Sequence, residues 1–87
     1  MKKLVNVQEV ENEGLVALLG ERVTLFCLNY IYTGKLTGVN EDCVLLENAA
    51  IVYETGAFSD KNWKDAQSLP KQHYVMKRCI ESFGVVK

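Results

Sequence analysis

The sequence is short of residues that cross-link a chain, break it or do acid–base chemistry: its 87 residues hold one proline, one tryptophan, one histidine and three cysteines. Cys27, Cys43 and Cys79 are odd in number, far apart and form no C-x-x-C pair, which argues against a disulfide framework or a zinc site. Each stands among apolar residues and reads as a small buried hydrophobe. No apolar run approaches the roughly 20 residues of a membrane-spanning helix. The opening Met1-Lys2-Lys3-Leu4-Val5-Asn6-Val7-Gln8-Glu9 turns polar before a signal-peptide core could form, so the expectation is a cytoplasmic protein with no membrane partner. Neither sign of charge dominates, with 10 Lys+Arg against 11 Asp+Glu. That balance excludes coating of nucleic acid by bulk charge, so any such binding has to be local. There is no G-x-G-x-x-G and no P-loop. No motif places a nucleophile or carboxylate beside His73, which reads as a surface or strand-edge residue, and Glu9, Glu11 and Glu13 read as a solvated helix entry. The chain is expected not to be an enzyme, with no catalytic residue, no metal and no cofactor.

What is present is a β-rich chain with 48% hydrophobic residues, enough for a single domain over 1–87. Leu15, Leu18 and Leu19 recur at helical spacing and predict a short amino-terminal helix over 8–20 with Gly20 as its stop; Gly14 inside it costs about 1 kcal/mol relative to Ala, so the helix either begins there or is distorted. From Val23 the period changes to that of a strand, running to Leu28. A second strand, Tyr30 to Val39, is interrupted by Gly34 and Gly38, which predict a sharp bend or a bulge. Asn40-Glu41-Asp42 is a tight-turn signature, and Cys43 to Tyr53 is a third strand. Residues 55–72 read as a long loop in which Asp60 caps a helical turn or two through Ala66, Trp63 folds back onto the body and Pro70 stops continuation. His73 to Val86 reads as one or two strands hinged near Arg78 and Cys79. The expected architecture is mainly β: a short helix, then a strongly bent five-stranded antiparallel barrel, because a flat sheet of this size leaves a face uncovered and two edges open.

The residues also resemble a family. Leu15-x-x-Leu18-Leu19-Gly20-Glu21-Arg22-Val23-Thr24-Leu25, followed by Tyr32-x-Gly34-x-Leu36-x-x-Val39-Asn40-x-x-Cys43-Val44-Leu45-Leu46-Glu47-Asn48, is similar to the first motif of the Sm/LSm proteins. The Val-Leu-Leu-Glu-Asn ending is nearest to the bacterial Hfq type, and Val75-Met76-Lys77-Arg78-Cys79-Ile80 resembles the second motif of that type. The resemblance implies an Sm-like, SH3-type barrel whose subunits join edge to edge into a homo-oligomeric ring of six or seven. It also implies single-stranded U- or A-rich RNA held at the pore by the loop after the second strand and the loop before the last. Asn40 falls on the polar residue that orders the first loop, and Lys77 and Arg78 fall on a Lys-His pair that faces the pore. Asp42 stands where the family stacks a base, Met76 where an aromatic precedes the basic pair, Glu41 where a neutral polar residue is usual, and Val44 where the family has a pore-side Asn.

The charge distribution makes the carboxy-terminal half the basic one, which predicts one basic surface on an otherwise acidic body: up to Glu54 there are 4 basic and 8 acidic side chains, and after it 6 and 3. Lys61, Lys64 and Lys71 with Trp63 are candidate loop contacts to a nucleic-acid backbone and base. Tyr30, Tyr32, Tyr53 and Tyr74 are candidate stacking residues whose ordinary role is cross-strand packing. The expectation is a ring-forming RNA-binding protein that uses Asn40, Lys77 and Arg78. The alternatives are a ring that serves as a scaffold for a protein partner through the Trp63 loop, and a monomeric SH3-like barrel with charged edges.

Overall fold

In the computed structural model, the described residues are 14–59, 63 and 65–86. They form α1 (Gly14–Ala17), β1 (Arg22–Cys27), β2 (Ile31–Val39), β3 (Cys43–Glu54), β4 (Asp65–Ser68), β5 (His73–Met76), a 3-10 turn over Lys77–Cys79, and β6 (Ile80–Gly84). All pairings are antiparallel, in the order β4-β3-β2-β1-β6 with β5 also on β3. β3 is long enough to hold two partners, β4 along its second half and β5 along its first. No helix among the described residues is long and apolar enough to cross a membrane.

Three expectations need correction. The expected helix over 8–20 is a single turn where it is described, and residues 8–13 lie outside the described residues. Gly14 opens that turn at φ 75° and Gly20 ends the segment at φ 90°, backbone conformations in which a Cβ is strained. The segment 55–72 is not all loop, because Asp65–Ser68 forms β4, and Ala66 is therefore in a strand and not a helical turn. No residue of β4 is a strong β-former and all four are exposed, so only the ladder to β3 and the Leu69 N–H donated to the Ala49 carbonyl at 2.8 Å define it. Finally, the sheet has six strands and does not close: among the described residues no ladder joins β6 to β4 or β5, and the 3-10 turn alone carries the chain from one sheet edge to the other.

Register shifts interrupt the β1-β6 and β3-β4 ladders once each and the β2-β3 ladder twice, and the two in β2-β3 sit at the glycines. Thr33 pairs with Ala50 and Lys35 with Glu47, so Gly34 faces both Asn48 and Ala49. Asn48 takes up the extra length at φ 49°, a left-handed conformation that asparagine tolerates better than most residues. Leu36 pairs with Leu46 and Gly38 with Leu45, so Thr37 is the extra residue on β2. One bulge on each strand bends the β2-β3 pair twice. Inside the curl Val23, Leu25, Leu36, Val44, Leu46, Ala49 and Val75 form the core, with Leu15, Leu18, Tyr32 and Ile80 packed around it. Burying a side chain such as Leu25 or Leu36 contributes roughly 1.5–3 kcal/mol. On the opposite face Thr24, Thr33 and Val52 are buried too, and the Thr33 hydroxyl donates to the Val23 carbonyl at 3.0 Å. Phe58 packs edge-on against Phe26 there at 6.0 Å, and Trp63 lies 6.3 Å from Phe58, so the segment after β3 folds back over the sheet.

Candidate nucleic-acid interface

The turn after β2 is built by one side chain. The Asn40 Oδ1 accepts the backbone N–H of Cys43 at 2.9 Å, that of Asp42 at 3.2 Å and the Cys43 thiol at 3.3 Å, while the Asn40 backbone N–H donates to the Cys43 carbonyl at 3.0 Å. Such an Asx turn holds three residues in one conformation, with Glu41 and Asp42 exposed at its tip. The β3-β5 ladder then sets Met76 opposite Cys43, which delivers the next residue to the turn: the Lys77 N–H donates to the Asp42 carbonyl at 2.8 Å.

The 3-10 turn is held at its far end as well. The Ile80 N–H donates to the Lys77 carbonyl, and the Leu28 N–H donates to the Cys79 carbonyl at 3.0 Å. Lys77 and Arg78 are thus consecutive cations between two loops, the Asn40 turn on one side and the β1-β2 hairpin on the other. Lys77 is half-buried and Arg78 is exposed. Two adjacent cations on a short, doubly anchored turn suit the binding of phosphate oxygens, because little side-chain-bearing backbone has to be ordered on binding.

Asn40 and Lys77 are therefore brought together, with Arg78 next to them. Lys61 and Lys64 lie outside the described residues. Trp63 is half-buried beside Phe58, on the face of the sheet where Phe26 projects. Glu47, Asn48, Leu69, Lys71 and Gln72 line a separate shallow cleft of about 470 Å³, where the Gln72 amide donates to the Glu47 carboxylate at 3.3 Å. Among the described residues no three His, Cys, Asp or Glu side chains gather as a metal site would require.

A cluster around His73 was not foreseen in the sequence. His73 stacks on Tyr32 with centroids 5.6 Å apart and planes at 24°, and Tyr30 meets Tyr32 edge-on at 6.4 Å and Tyr53 at 5.8 Å. The spacing of Tyr30 and Tyr32 puts both on one face of β2, a signal the period-2 rule contains, whereas the approach of His73 depends on β5 folding onto β3. Burial raises the Tyr32 phenol above its ordinary range, and the neighbouring Cys27, Tyr30, Tyr53 and Cys79 add to the effect. Cys27 is raised as well, first by burial and then by Cys79. Both groups hold their protons at neutral pH, so Cys27 is no nucleophile there.

Comparison with protein-family models finds none that matches this chain, and comparison with curated proteins finds no match either.

Proposed function

We propose that the chain is an Sm-like subunit that assembles into a ring and binds single-stranded U- or A-rich RNA through the turn carrying Lys77 and Arg78. The observation that carries this reading is the hydrogen bond from the Lys77 N–H to the Asp42 carbonyl. It joins the loop after β2 to the turn before the last strand, the two places where the resemblance puts RNA contacts. Repetition of Lys77 and Arg78 around a ring concentrates positive charge at the centre of a protein whose net charge is only −1. A cytoplasmic location accords with the free thiols of Cys27, Cys43 and Cys79.

The edges of the sheet support assembly. Among the described residues of one chain β5 pairs only with β3 and β6 only with β1, which leaves each with an open side. These edges are apolar where soluble proteins usually place charge: Tyr74 and Met76 on β5 are 61% and 41% exposed, and Phe83 on β6 is 40% exposed. Pairing β5 of one subunit with β6 of the next, around a closed ring, covers both.

The test is a Lys77→Ala/Arg78→Ala variant titrated with labelled oligo-uridine over a range of salt. The reading requires weaker binding and a shallower dependence on salt, by about 0.7 in log–log slope for each phosphate no longer neutralised, with the oligomeric state unchanged. Unchanged affinity in an intact ring would reject the basic turn as the RNA site.

A further inference from the structure

The basic turn supplies partners for phosphates and no aromatic ring for bases: Asp42 and Glu41 at the neighbouring loop are acidic residues, and Met76 before the turn has no π face. Stacking surface lies on the other side of the same turn. Leu28, whose N–H binds the Cys79 carbonyl, belongs to the hairpin that leads into Tyr30, and the Tyr30 carbonyl accepts the Cys27 N–H at 3.0 Å to close that hairpin. Arg78 directly precedes one partner of the Leu28–Cys79 hydrogen bond, and Tyr30 closely follows the other.

The tyrosines there fall into two layers. Tyr32 is packed against the core and covered by the stacked ring of His73, so its position is set. Tyr30 and Tyr53 stand above it, 44% and 53% exposed, with their planes at 90° to each other. Edge-on contacts do not cover a ring as stacking does, and Tyr53, held by one such contact to Tyr30, keeps a face open to solvent. Rings that are partly exposed yet held by neighbours lose little freedom when a flat ligand lands on them.

Taking the RNA reading of the basic turn as its basis, the geometry points to Tyr30 and Tyr53 as a stacking site for an unpaired nucleobase of the strand whose phosphates Lys77 and Arg78 hold. Tyr32 and His73 are positioning residues that fix the two exposed rings. The occupant is a nucleobase because the cations on the adjoining turn favour an anionic chain and the exposed rings of Tyr30 and Tyr53 favour flat groups on it, and single-stranded nucleic acid has both features. The site discriminates bases weakly, since every base has a π face.

The experiment uses the full chain with a Tyr30→Ala/Tyr53→Ala variant and a Tyr30→Phe/Tyr53→Phe control that keeps the rings. Each is titrated by fluorescence anisotropy with labelled oligo-adenine and with an abasic sugar–phosphate chain of the same length. The alanine variant is expected to lose about tenfold or more in affinity for oligo-adenine, with unchanged affinity for the abasic chain and an unchanged salt slope, while the phenylalanine variant matches the parent. Wild-type affinity for oligo-adenine in the alanine variant, alongside weakened binding in Lys77→Ala/Arg78→Ala, would overturn the stacking site and leave the basic turn standing. Should the parent protein bind neither chain, the RNA reading falls. Adenosine alone, followed by NMR of the tyrosine rings, then decides the site: shifts confined to Tyr30 and Tyr53 uphold it, and no shift at millimolar nucleoside overturns it.

Discussion

Replacing Gly34 by alanine tests the account of how the sheet bends. An added Cβ would meet the Ala49 Cα at 3.1 Å, the Glu47 carbonyl oxygen at 3.1 Å and the Leu46 Cβ at 3.2 Å. Two of these are backbone atoms of the bulged strand and the third is a Cβ held by that same backbone, so none of them can rotate away. Overpacking costs about 1–3 kcal/mol, in the upper part of that range, about 2–3 kcal/mol, where the clashing atoms are held by the backbone, and the reduced freedom of the unfolded chain returns about 0.4–1 kcal/mol, leaving a net destabilisation of about 1–2.6 kcal/mol. Gly38 is the internal control, because its Cβ would meet one atom in a looser contact, the Leu45 Cβ at 3.3 Å, with the Leu45 Cδ2 at an ordinary 3.9 Å and no backbone atom of the facing strand within 4 Å. Gly38→Ala is expected to stay within about 0.5 kcal/mol of the parent. Urea denaturation of the three proteins, read by far-UV circular dichroism with the m-value compared, gives both differences. A Gly34→Ala protein as stable as the parent, or less perturbed than Gly38→Ala, would refute the claim that β3 passes too close to β2 at Gly34 for a side chain.

Two further outcomes follow from the same structure. Asn48 at φ 49° takes up the first bulge, so Asn48→Gly should leave the urea midpoint unchanged or raise it, while Asn48→Ala should cost about 1–2 kcal/mol; equal effects of the two would contradict the left-handed bulge. Burial raises Cys27 above its ordinary 9.0 and Tyr32 above its ordinary 10.0, so the folded state binds these protons more tightly than the unfolded chain does. Their contribution to stability is complete below about pH 9 and is lost as pH rises through the folded values, so the urea midpoint should fall above pH 9 and fall less in Cys27→Ala; a Cys27→Ala profile parallel to that of the parent would contradict the burial of this thiol.

The sequence foretold those elements in which local chemistry and tertiary packing agree. β1, β2 and β3 are long runs of β-formers bounded by turn residues, and Asn40 at a turn has one obvious use for its amide oxygen, so all four were legible. Gly34 and Gly38 announced irregular strands, though not which partner strand would bulge. β4 could not be read because Asp65-Ala66-Gln67-Ser68 has no strand preference of its own and takes its conformation from the edge of β3. The expectation of closure rests on the cost of open edges, and the described residues of a single chain leave those edges open. In the candidate site, Lys77 and Arg78 stood out as adjacent charges, but their hydrogen-bonded link to the Asn40 turn depends on the β3-β5 register. His73 was legible only as an isolated residue, because its partner Tyr32 lies on a strand far earlier in the chain.

The most direct measurement is the anisotropy of labelled oligo-uridine and oligo-adenine titrated with the parent protein, stripped of co-purified nucleic acid, at low and at physiological salt. Binding at micromolar concentration or tighter that weakens as salt rises is the expected result if Lys77 and Arg78 hold phosphates as proposed. Failure to bind either oligomer at low salt, where these charges are least screened, would contradict it.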